Sequence, residues 1–323
     1  MKAIVLGSDG PTFTDAPVPV PKPNEVLVRV RACALNRADL GVAAGHRHGS
    51  VGGAGTVVGM EFAGEVVQTG AEVPGLRVGD RVMCSGAGGF AEYAVADRGR
   101  VMPIPSAQMS FEQAATLPVA LQTMHDALVT HGQLAAGGSV MIQGASSGVG
   151  LLAMQIARLR GAALVVGSST DPVRRARLAE FGAHLAVDSR DPAWVDQVLQ
   201  ATGGQGVDLI VDQVSNGVAN QNMKATRILG RIVNVGRRGG MKGDFDFDLH
   251  ALRRISYIGV TFRTRSLDEV REINSRMLAD LGPALAAGQL ALPIDRVFGL
   301  DEAVAALAHM KANLHFGKIV LRT

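Results

Sequence analysis

The chain has little of what marks specialised protein classes. It holds 2 cysteines, 1 tryptophan and 2 tyrosines in 323 residues. Two cysteines, Cys33 and Cys84, cannot build a disulfide scaffold, and free thiols suit a reducing cytoplasm. No run of about 18 apolar residues occurs, so no membrane span is expected. Neither sign of charge is in excess. The net charge is +3 and the basic residues are scattered, which speaks against a nucleic-acid partner. The opening stretch MKAIVLGSDGP reads as a first strand, because Gly7 and Pro11 interrupt it too early for a secretory signal. Internal repeats and low-complexity tracts are also missing.

What is present is apolar residue, at 47%, and 40 glycines, in a chain long enough for two domains with cores of their own. The first part, to about residue 119, reads as mostly β. Strands are expected at 3–6, 26–34, 59–67, 79–83 and 90–95, with helices at 111–117 and 123–131. Residues 41–56 are polar and glycine-rich and read as a mobile loop without core. From Ser139 the pattern changes to alternating strands and helices, the mark of a parallel doubly wound sheet. Strands are expected at 139–143, 164–167, 185–188, 207–212, 231–236 and 255–262. Asp171 and Pro172 suit the cap and first position of one helix, and 221–229 reads as another. A helix at 267–285, a strand at 295–298, a helix at 300–312 and a strand at 318–321 close the chain.

The most informative stretch is 139–162, SVMIQGASSGVGLLAMQIARLRGA. A short apolar strand runs into a turn of small residues. Apolar side chains then recur at Val149, Leu152, Ala153, Ile156 and Ala157, which is helical spacing. Strand, glycine turn and helix set free N–H groups and a positive dipole end against a dinucleotide pyrophosphate. The candidate contacts are Ala145, Ser147, Gly148, Val149 and Gly150. A dehydrogenase using NAD usually ends its second strand on an acid that bonds the ribose 2′-OH. Here that position reads Gly167, Ser168, Ser169, Thr170, with Arg174 one helical turn on. Hydroxyls and a guanidinium suit a 2′-phosphate, so NADPH is the expected cofactor.

Several further segments carry a resemblance: ALNRADL (34–40), GMEFAGEV (59–66), VGDRV (78–82), GASSGVG (144–150), LAEFGA (178–183), GVDLIVD (206–212) and HFGKIVL (315–321). In this order the chain resembles the zinc-free quinone oxidoreductase branch of the medium-chain dehydrogenase/reductases. The resemblance implies a GroES-like catalytic domain from residues 1–119 and 265–323. It implies an inserted Rossmann domain at 120–264, with the active site in the cleft. It also implies that a basic residue at Arg174 pairs with the 2′-phosphate. Further cofactor contacts follow at Thr123, Gln213, Gly236, Arg237, Phe262, Arg263, Asn313, Gly317 and Lys318. Asn36 and Met60 stand where zinc-dependent relatives place ligands, and an amide with a thioether is a poor zinc site, so no metal is expected.

At the reacting centre, the resemblance makes Asn36 the polar group beside nicotinamide and substrate. Its amide can donate to a carbonyl oxygen. The bland alternative is that Asn36 only caps the turn before Leu40. Relatives often carry a tyrosine in the following loop; this chain does not, which leaves Arg47, His46, His48 or water as proton source. The expected substrate is a quinone or related enone, reduced directly from nicotinamide. The segment 74–128 also resembles the enoyl-reductase modules of polyketide synthases, so an enoyl or enone C=C reductase is the alternative. A third reading is a crystallin-like protein that binds NADPH without turnover. The apolar strand 255–262 falls where a sheet edge is expected, and a homodimer through it would cover the edge.

Overall fold

A computed structural model describes residues 1–49 and 51–323. The chain forms two compact units, Met1–Val119 with Phe262–Thr323, and Ala120–Thr261. Phe262 and Arg263 therefore belong to the unit that holds both chain ends.

The first unit is built on a seven-stranded sheet. Its path runs Ile294–Gly299, Lys318–Arg322, Glu25–Ala34, Glu61–Thr69, Arg81–Ser85 and Val101–Pro103, and Tyr93–Asp97 also pairs with Glu25–Ala34. The long strand Glu25–Ala34 organises it. Val26, Val28 and Val30 turn inward while Arg29 and Arg31 face out, the alternation of a half-exposed strand. Its end, Cys33 and Ala34, pairs antiparallel with Leu321 and Val320, so the C-terminal strand lies beside residues just before Asn36. Gly64 sits at a register shift where Glu61–Thr69 pairs with Glu25–Ala34. A Cβ there would lie 2.0 Å from the Arg29 carbonyl oxygen, so only glycine fits. The helix Leu267–Ala286 is tied to the sheet by Arg271, which makes two parallel bonds of 2.9 and 2.7 Å to the Asp97 carboxylate.

Residues 41–56 differ from the expected coreless loop. The helix Arg37–Ala43 runs into them, Val42 is buried and Val51 packs against the core. A buried aliphatic every few residues is enough to anchor a glycine-rich segment.

The second unit is a six-stranded, wholly parallel sheet. Its spatial order is Leu185–Val187, Leu164–Ser168, Ser139–Gln143, Val207–Asp212, Thr226–Asn234 and Ser256–Gly259. The two central strands each carry a buried apolar run, Val140 to Ile142 and Leu209 to Val211, as a sheet covered on both faces requires. Ser256–Gly259 lies at one edge, as expected, but is shorter than 255–262. The expected helix 221–229 is Ala219–Ala225, and Thr226 already starts the next strand. The apolar pair Ile228 and Leu229 fits either period, and both are exposed. Two helices were not foreseen, Trp194–Ala201 and Phe247–Arg253. No helix among the described residues is long and apolar enough to cross a membrane.

Gly150 lies where the helix Gly148–Leu159 crosses the turn before it. A Cβ on Gly150 would meet the Ala145 backbone at 2.7 Å, and backbone cannot give way as a flexible side chain can. Gly150→Ala is expected to lower stability by about 1–3 kcal/mol. A urea melt with an unchanged midpoint would contradict this reading of the contact.

Candidate active site

The nucleotide turn lies in the second unit. Ser139–Gln143 ends at Gly144, whose φ of 72° suits glycine, and the helix starts at Gly148. Ser147 caps this helix, its Oγ accepting from the Gly150 N–H at 3.2 Å. The N–H groups of Gly148 and Val149 have no partner among the described residues, as expected of the first turn of a helix. They form an anion cradle at the positive end of a 12-residue helix, and the turn fits a dinucleotide pyrophosphate. When bound there, such a cofactor supplies hydride from its nicotinamide.

Side chains named as contacts hold the turn from behind. Ser168 is buried. Its Oγ donates to Gln143 Oε1 at 2.6 Å and accepts from the Gly144 N–H at 2.9 Å. The Ala145 N–H donates to the Ser168 carbonyl at 2.8 Å. Ser168 was expected to face a 2′-phosphate; the structure turns its hydroxyl into the sheet, where it fixes the turn. Gln213 acts likewise, with Oε1 2.9 Å from Ser147 Oγ and Nε2 donating to the Gln143 carbonyl at 3.2 Å. Gly236 allows close passage past the Gln213 backbone, and Arg237 donates to the Val235 carbonyl at 3.3 Å. Thr123 is half-buried on the helix Pro118–His125.

The end of the second strand gathers three arginines. Arg174 is paired with Asp171, the cap of its own helix, at 3.7 Å. Arg175 donates to the Ser169 carbonyl at 2.8 Å and to Asp188 at 3.0 Å. Arg190 donates to the Thr170 carbonyl and also pairs with Asp188. Ser169 is bonded to Ser146 through their hydroxyls at 3.0 Å. Arg190 was missed from sequence, because no helical or strand spacing connects it with Thr170.

The first unit holds a second polar centre, around Asn36. Asn36 stands at the start of the helix Arg37–Ala43, and its backbone N–H donates to Asp39 Oδ2 at 2.6 Å. Asn36 and Asp39 have the arrangement of a capping box, so Asn36 does serve the helix start, but its side chain is not confined to that role. Nδ2 donates to Glu61 Oε1 at 2.8 Å, and Oδ1 accepts from Lys318 Nζ at 3.0 Å. Lys318 also donates to Glu61 Oε1 at 2.5 Å, and Glu61 Oε2 accepts the Val119 N–H at 2.8 Å. Glu61 is 0% exposed and Lys318 4%. Lys318 was expected to contact cofactor; its ammonium is instead buried against these two partners. Glu61 was missed, although a carboxylate opening an apolar strand and a lysine opening another are a pairing signal.

The other expected residues of this unit make contacts of their own. Asn313 has φ 56° and accepts from Arg37 at 2.8 Å. Gly317, at φ 90°, passes so close to Pro293 that a Cβ would lie 2.2 Å from its carbonyl oxygen. Phe262 carries the Arg265 guanidinium 5.8 Å from its ring centre. Arg47 lies against Gly53, and the Arg263 backbone passes Gly49. The pKa of His48 is lowered by burial first and the Arg263 charge second, which favours the neutral ring.

The donor set does not suit zinc. The Asn36 oxygen already faces an ammonium, and Met60 is a buried core thioether. No group of three or more His, Cys, Asp or Glu able to hold a metal occurs among the described residues.

The comparisons agree with this architecture. Residues 22–106 match the alcohol dehydrogenase GroES-like domain, and 148–279 match the zinc-binding dehydrogenase domain. Human quinone oxidoreductase is 30% identical over 83% of this chain and 80% of its own length. The chain belongs to the quinone oxidoreductase-like medium-chain dehydrogenase/reductases. It is an oxidoreductase of that family. A highly reducing polyketide synthase of Alternaria alternata is 31% identical over 96% of this chain. The chain spans only 12–14% of the length of the polyketide synthases it matches. A crystal structure of an NAD-dependent alcohol dehydrogenase superposes over 100% of both chains, with a TM-score of 0.87 and 29% identity.

Asp39 offers a test of this medium-chain dehydrogenase/reductase site. It is 0% exposed, and burial pushes its carboxyl up to about 7 from 3.8, against the pull of the Asn36 N–H and Lys318. Between these values the folded state holds a proton that the unfolded state has released. Stability is therefore expected to fall as pH rises through this window, and Asp39→Asn to remove that slope. Urea midpoints measured across about pH 4 to 7 check it. An equal slope in wild type and variant would refute the assignment.

Proposed function

We propose that this protein is a zinc-independent, NADPH-dependent reductase of quinones or related conjugated carbonyls. One observation carries the reading. Where zinc-dependent relatives place a metal ligand, an amide is held by a buried ion pair and keeps one N–H open. Hydride addition to a conjugated carbonyl leaves negative charge on its oxygen. An oriented N–H can stabilise that charge without a metal. A quinone acceptor gives a low-energy oxyanion, so solvent can deliver the proton and no tyrosine is required. His48, held toward its neutral form, and Arg47 remain the side-chain candidates near this path.

The preference for NADPH is supported by Arg174, Arg175 and Arg190 around 169–171, with both nearby acids, Asp171 and Asp188, already paired to them. A guanidinium released from such a pair can bond a phosphate dianion through a fork of donors. Arg174→Ala and Arg190→Ala are each expected to weaken NADPH about tenfold and leave NADH within a factor of about two. Fluorescence titration measures both. Equal affinities for the two nucleotides in the wild type would remove the preference.

The polyketide synthase relatives favour a second reading, reduction of the C=C of an enoyl thioester or enone. Loss of NADPH absorbance with ortho-quinones, para-quinones, enones and enoyl-CoAs separates the readings. Turnover of enoyl-CoA alone selects the second. Tight NADPH binding with no turnover selects a crystallin-like role.

For quaternary structure we propose a homodimer through Ser256–Gly259, an edge strand flanked by exposed Phe247 and Leu252. Light scattering should give twice 33.6 kDa; a mass of 33.6 kDa at micromolar concentration contradicts it. The buried free thiols, Cys33 and Cys84, fit a reducing cytosol.

A further inference from the structure

Two partners flank the Asn36 amide, and their chemistry leaves it a single orientation. Glu61 Oε1 is an acceptor and faces Nδ2. The Lys318 ammonium is a donor only and faces Oδ1. Turning the amide over would set oxygen against carboxylate and N–H against ammonium, losing both bonds. The carboxylate and the ammonium are bonded to each other, so neither can swing away without leaving a charge buried. Glu61 is further held by the Val119 N–H. Of the two Nδ2 hydrogens, one bonds Glu61 and the other has no partner among the described residues. Asn36 is the one member of this trio that is partly exposed.

We infer that Glu61 and Lys318 are positioning residues that lock the Asn36 amide with one N–H directed outward as the donor to the substrate oxygen. This rests on the proposed role of Asn36 as that donor and adds what fixes its direction. Without the lock, the amide could present its oxygen to the substrate, which repels a developing oxyanion. The lock also selects the ligand group: an oxygen that can accept fits, whereas a donor-only group such as an ammonium cannot bond this N–H.

A double-mutant cycle tests the inference on the full-length protein with NADPH and a para-quinone. Asn36→Ala should lower kcat by about a hundredfold, the order found when an oxyanion donor is removed. Lys318→Met should lower kcat at least about tenfold with the NADPH Kd within a factor of about two. In the Asn36→Ala background the same change should have almost no further effect, since there is no amide left to orient. Lys318→Met leaves Glu61 charged and buried and can fail to fold. The Glu61→Gln, Lys318→Met double variant carries no unpaired charge and serves in its place, measured with and without Asn36→Ala. An equal loss of kcat in both backgrounds would show a general structural role and overturn the positioning. An unchanged kcat in Asn36→Ala would overturn the donor reading itself, which distinguishes the two failures.

Discussion

Lys318 and Glu61 are 257 residues apart in sequence and both are sealed from water. Burying a carboxylate and an ammonium costs several kcal/mol per ion unless the remaining polar capacity is satisfied. Here the pair and its partners come from four segments of one unit. Lys318 begins the last strand, Glu61 begins a central one, Asn36 precedes a short helix and Val119 ends the long N-terminal section. Lys318 and Glu61 form the pair, Asn36 bonds both of its members and Val119 bonds Glu61. The C-terminal strand is thereby fixed in register on the N-terminal sheet beside the Asn36 amide. Asp39 adds a buried carboxyl beside this pair; burial pushes it toward its neutral form, and the nearby Glu61 charge adds a smaller push in the same direction.

The nucleotide unit follows the same logic with neutral groups. Ser168, Gln143 and Gln213 form a chain of bonds behind the glycine turn, and none of it requires a ligand. Its effect is to hold Gly144 and the cap Ser147 so that the first N–H groups of the helix stay open. Interior polar side chains set the shape, and backbone supplies the donors. A hydroxyl at the end of a strand is therefore ambiguous in sequence: Ser168 faces the sheet, while Ser169, one residue on, faces Ser146 across the turn.

This difference shows what could be read without a structure. The strand Ser139–Gln143, the strand Val207–Asp212 and the cap Asp171 came directly from apolar run length and capping chemistry, which are local properties. The amphipathic helix Trp194–Ala201 carries the same kind of signal, but it is short, between an acidic turn and a glycine-rich one, and is not among the expected helices. Asn36 was found as a residue, through resemblance, but not its partners. Glu61 and Lys318 look like strand-edge charges until the antiparallel pairing of Leu321 with Cys33 brings them together, and that pairing is not local. Arg190 was hidden for the same reason. It meets Thr170 only because Leu185–Val187 lies parallel to Leu164–Ser168.

The ion pair also bears on which acceptors suit the proposed chemistry. A zinc ion polarises a carbonyl with net positive charge. Lys318 carries such a charge, but Glu61 neutralises it at 2.5 Å, and both lie behind the amide. What faces outward is a dipole: one N–H whose partner carbonyl is drawn toward an ammonium. A dipole stabilises a developing oxyanion less than a metal does, and it cannot make bound water reactive. Simple ketones, whose alkoxide products are strongly basic, need more help than this. Quinones and extended enones spread the incoming charge over a conjugated system and ask less of the donor. If Asn36 is the donor, as proposed, the weakness of this electrophile is itself a selection for conjugated acceptors, and it follows from one buried salt bridge.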